Sequence, residues 1–81
     1  MRKSIDEGLG DPGGDDEAVE CSWAVMVSDD YDDAEPRVVL TVEEVGHAGE
    51  GHVFHLGAEH TRRLRGALRD ALREIGEDPG R

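Results

Sequence analysis

The run Val19-Glu20-Cys21-Ser22-Trp23-Ala24-Val25-Met26-Val27-Ser28 sets the fold class, because Val19, Cys21, Trp23, Val25 and Val27 alternate with a smaller and more polar set. Alternation with a period of two places successive side chains on opposite sides of an extended chain, so the run reads as a strand with its odd positions toward a core. The acidic break Asp29 to Pro36 follows. A second strand then runs from Arg37 to Val45, with Val38, Leu40 and Val42 on one face and Val39, Thr41, Glu43 and Val45 on the other. Gly46, Gly49 and Gly51 supply the backbone freedom for a reversal into a third strand, His52 to Leu56, with Phe54 and Leu56 inward.

Beyond Gly57 the period changes. Leu64, Leu68, Ala71, Leu72 and Ile75 recur at helical spacing, Glu59 suits the positive end of a helix dipole, and Pro79 prevents the helix from resuming. The spacing predicts a helix from about Ala58 to Ile75. The expected fold is α+β, a three-stranded antiparallel β-meander packed on one C-terminal α-helix, with Trp23, Val25, Leu40, Phe54, Leu56, Leu64, Leu68, Leu72 and Ile75 among its core. Residues 1–17, Gly-rich and acidic with only Ile5 and Leu9 to bury, are expected to form a disordered tail. Residues 18–76 would be the single domain and residues 77–81 a second short tail.

Composition narrows the function classes. Twenty Asp and Glu against nine Lys and Arg give 81 residues a net charge of −11, which repels nucleic-acid phosphate and anionic lipid. No run approaches a membrane span and no apolar segment follows Arg2 and Lys3, so a cytoplasmic protein without a secretory signal is expected. The lone Cys21 allows no internal disulfide and no multi-cysteine zinc site.

The constellations that carry chemistry are weak. His47, His52, His55 and His60 lie close in sequence, but His52 and His55 fall on opposite faces of a strand and cannot chelate one ion there. The Asp29–Glu35 loop lacks the turn glycine and donor spacing of a calcium loop. Ser4, Ser22, Ser28 and Cys21 have no activating base in their neighbourhood of sequence. No catalytic, cofactor-binding or metal site is expected, and the protein is not expected to be an enzyme.

Two interaction surfaces are expected instead. One is the sheet face away from the helix, carrying Ala24, Met26, Val39, Thr41, Val45, Val53 and His55, which is too apolar for water and suits a homodimer. The other is the stripe Arg62, Arg65, Arg69 and Arg73 on one helix flank, suited to an acidic segment. Twelve acidic residues and no basic one lie between Ser4 and Pro36, so this segregation of charge is pronounced.

The leading expectation is a small acidic protein-interaction or regulatory protein that binds another protein, with basic partners favoured by charge and no direct contact to nucleic acid or membrane. The alternatives are an inhibitor that imitates nucleic acid before a basic protein, and a histidine-based metal or ligand carrier. The order of three strands and a helix resembles that of the MbtH-like proteins, small helpers of nonribosomal peptide synthetases. That family's Asn-Pro-Phe motif, conserved tryptophans and Asn-Trp-Thr ending have no counterpart in this sequence, and no site residue follows from the resemblance.

Overall fold

A computed structural model describes residues 1–11 and 19–80. The elements follow one another as β1 (Arg2–Leu9), β2 (Cys21–Ser28), β3 (Arg37–Glu44), β4 (His52–Leu56) and α1 (Ala58–Glu74). The four strands form one antiparallel sheet in the order β1-β2-β3-β4. The three expected strands and the helix stand where the residue periods put them, and a fourth strand is added at the N-terminal edge.

That strand corrects the expectation of a disordered tail over residues 1–17, of which residues 12–17 lie outside the described residues. β1 has no apolar period because it does not form by burying side chains: seven of its eight positions are exposed. Its backbone pairs with β2 from Arg2 opposite Ser28 to Leu9 opposite Ser22, with a shift of register between Ser4 and Asp6. The bulge and the charged Lys3 and Asp6 make it a guarded edge that does not invite further strands. Gly8 stands opposite Trp23, and a Cβ there would come within 2.8 Å of the indole, so the missing side chain lets the ring lie across the strand.

Register sorts the side chains into two faces. Trp23 opposite Val42, Val25 opposite Leu40 and Val27 opposite Val38 define the helix side; Ala24 opposite Thr41 and Met26 opposite Val39 define the other. β4 continues both sets, with Phe54 opposite Leu40 and His55 opposite Val39.

α1 starts at the Gly57 N-cap, with Glu59 in its first turn and Arg73 in its last. The Thr61 hydroxyl donates to the Gly57 carbonyl at 2.8 Å and ties the first turn to the end of β4. The helix then runs beside β3 and β4 alone, and none of its residues is buried. Here the expected core is corrected: its residues share one face, but that face does not close. Phe54 is 52%, Leu68 60% and Ile75 72% exposed, and among the described residues the buried hydrophobic one is Val39, on the opposite face. The radius of gyration of 14.7 Å exceeds the roughly 12 Å usual for a compact chain of this length. The physical reason is width: a four-stranded sheet spans about 19 Å at ~4.8 Å per strand, and one helix about 10 Å across covers half of it.

Candidate interaction surfaces

The uncovered half-face is a groove of about 570 Å³ between sheet and helix. Its floor is Trp23, Val25, Val38, Leu40 and Leu56; its wall is Leu64, Leu68 and Leu72, with Arg65 and Arg69 along the rim. Two of the four arginines of the expected stripe, Arg65 and Arg69, therefore border an apolar groove, while Arg62 and Arg73 lie outside its lining. All four arginines are exposed, and Arg69 and Arg73 reach Asp70 at 3.5 and 3.7 Å, too long and too wet to fix them firmly.

On the opposite face the sheet-face residues come together as their parity requires. Ala24, Thr41 and Val53 lie abreast, as do Met26, Val39 and His55, and Val45 lies just past β3 with its N–H on the Glu20 carbonyl. The face is not bare. The loop after β2 folds back over it, so that Tyr31 Oη and His55 Nδ1 share a 2.8 Å hydrogen bond and Val39 is only 6% exposed. The Arg37 guanidinium lies 4.3 Å from the Tyr31 ring centre, a cation–π contact, and makes two hydrogen bonds to the Asp33 carboxylate. Ala34 is held in the left-handed region at φ 55, a conformation costing about 1 kcal/mol at a residue with a Cβ, which persists because the contacts on either side fix it. Tyr31 and Arg37 were not singled out by sequence; an aromatic residue inside an acidic loop, followed by a cation, was the available signal.

The loop is also tied to β1. The Asp29 N–H donates to the Met1 carbonyl, Arg2 Nε donates to Asp30 at 2.8 Å, and buried Ser28 accepts the Asp30 N–H through its hydroxyl. Arg2 thereby holds the Asp30 carboxyl below the usual carboxylate range, and Arg37 does the same for Asp33. A carboxyl lowered in the folded state contributes stability above its ordinary value near 4, and that contribution is lost as pH falls through the lower folded value. Both sites are exposed, so the energy is small, but the titration is readable. Arg37→Ala should return Asp33 toward an ordinary carboxylate in a carboxyl-carbon NMR titration; an unchanged curve would show that Arg37 does not hold it.

The histidines do not assemble. His47 pairs with Glu50 at 3.0 Å, His55 faces Tyr31, and His52 and His60 are exposed. Among the described residues no three His, Cys, Asp or Glu side chains are placed to hold one metal ion. No helix among them is long and apolar enough to cross a membrane.

No family model, curated protein or solved structure matches this chain. Its function has to be read from the surfaces themselves.

Proposed function

We propose that this chain is a small acidic protein-interaction or regulatory protein, acting by binding another protein through surfaces rather than through a reaction. The observation that carries this reading is the groove: apolar side chains that belong in a core line its floor and wall and stay half-exposed, and a protein contact would cover them. Charge adds selectivity. With −11 overall and four of its nine cations along one helix flank, much of the remaining surface attracts basic partners and repels acidic ones.

Affinity capture from native lysate with wild-type and Leu68→Glu baits tests both halves. A polypeptide held by the wild type, lost on Leu68→Glu and released by raised salt is the expected result. Equal capture by the two baits would remove the groove from the reading. A partner that binds nucleic acid and leaves on addition of DNA would identify mimicry as the mode of action.

A further inference from the structure

We propose that a second copy of this chain closes the groove, the two packing groove to groove about a two-fold axis so that the helix of each covers the β1–β2 half of the other's sheet. The inference rests on the groove being a protein-binding surface and commits to its occupant.

Three observations favour a second copy. The first is geometric. The sheet needs two helices to cover it and the described residues supply one, lying beside β3 and β4, so Trp23, whose indole lies over Gly8, and Val25 stay only half-buried while Leu68 and Ile75 project without a floor. One chain carries both the surplus helix face and the bare strands, which is the condition for a self-complementary contact: a two-fold operation satisfies both at once.

The second is area. The chain exposes 6759 Å², whereas a folded monomer of 8.8 kDa exposes about 4,800 Å². The excess of about 2,000 Å² per chain, about 4,000 Å² for a pair, falls inside the 2,000 to 5,000 Å² that obligate dimer interfaces bury over both partners by rough survey.

The third is charge. The contact is apolar at its centre and bordered by Arg65 and Arg69, so most of the carboxylates of the two copies stay on their outer surfaces. Packing in this sense brings the arginine flank of one helix toward the β1 edge of the other sheet. There the groove face carries Asp6 opposite Val25 and Lys3 opposite Val27, one carboxylate and one cation.

Two chains of −11 repel at long range, so this association tightens as salt screens them, the opposite of a complex with a basic partner. Sedimentation equilibrium of the purified full chain is the test. The wild type should be dimeric at ~10 μM, with a dissociation constant that falls between about 20 mM and about 300 mM salt. Leu68→Glu should weaken the dimer about 100-fold or more, because the change enters a two-fold contact twice. Leu68 is 60% exposed in the single chain, so loss of folding is not expected; Ile75→Arg, at 72% exposure, is the second variant with the same expectation. Val53→Glu, on the far face, should leave the dimer intact. A wild type that stays monomeric at ~100 μM overturns the proposal, and so does a dimer broken by Val53→Glu but not by Leu68→Glu or Ile75→Arg. If the wild type is monomeric and Leu68→Glu still loses its lysate partner, the second copy fails while the groove stands. If the wild type is monomeric and that partner is kept, both fail.

Discussion

Removal of residues 1–11 is expected to abolish the cooperative thermal transition of this protein, although nothing in that segment looks like a fold-forming element. β1 contributes almost no buried side chain. What it contributes is a backbone partner along the whole of β2, from Ser28 back to Ser22. Without it β2 becomes an edge strand, the Trp23 indole loses the strand beneath it at Gly8, and the Asp29–Asp30 corner loses Met1 and Arg2. At about 1 kcal/mol net per hydrogen bond, a ladder of this length is worth several kcal/mol. A chain of this size has roughly 4–12 kcal/mol in all. At about 4–8 °C per kcal/mol, the midpoint falls by tens of degrees. Far-ultraviolet circular dichroism through a thermal ramp reads the effect. A cooperative transition at the unshortened midpoint would show that β1 only decorates the sheet.

The contrast between β1 and β2 shows what was legible in the residues. β2, β3 and β4 announce themselves because each has a face to bury, and α1 because its leucines recur at helical spacing; the helix ends one residue before the expected Ile75. β1 is held by main-chain pairing, to which Asp6, Glu7 and Gly8 contribute as well as valines would, so no period records it. Side-chain parity likewise assigned Trp23, Val25 and Leu40 to one face and Ala24, Met26 and Val39 to the other. Parity says which side a residue faces and nothing of how far that side is covered. The expected core lies open because α1 spans half the sheet, and Val39 is covered because Tyr31 is folded over its face by Arg37, Asp33 and a left-handed Ala34. Those contacts run from an irregular loop to Arg37, the first residue of β3, and in the loop neither the two-residue nor the 3.6-residue period operates.

Gly51→Ala is expected to destabilise the protein by about 3 kcal/mol, at the upper end of what overpacking costs, because the added methyl has nowhere to go. The reversal between β3 and β4 uses its glycines in two ways. Gly49 sits at φ 85 with no atom within 4 Å of where a Cβ would be, so Gly49→Ala meets only the backbone strain of the left-handed region, about 1 kcal/mol. Gly51 is different: a Cβ there would drive into the Val42 carbonyl and the Cγ of Glu43. A side-chain methylene can swing aside, but the carbonyl belongs to β3, where Val42 pairs with both Trp23 and His52. Relief therefore comes by pulling β4 away from β3, and β4 ends at Leu56, next to Gly57, the N-cap of α1. Urea denaturation of the two single variants separates the mechanisms, with Gly51→Ala lowering the midpoint by about three times as much as Gly49→Ala. Hydrogen exchange adds a local readout: those β4 amides that face β3, every second one along this edge strand, should lose protection in Gly51→Ala and keep it in Gly49→Ala. Equal losses in the two variants would mean that the turn yields as a whole and that β3 does not hold Val42 rigidly against it.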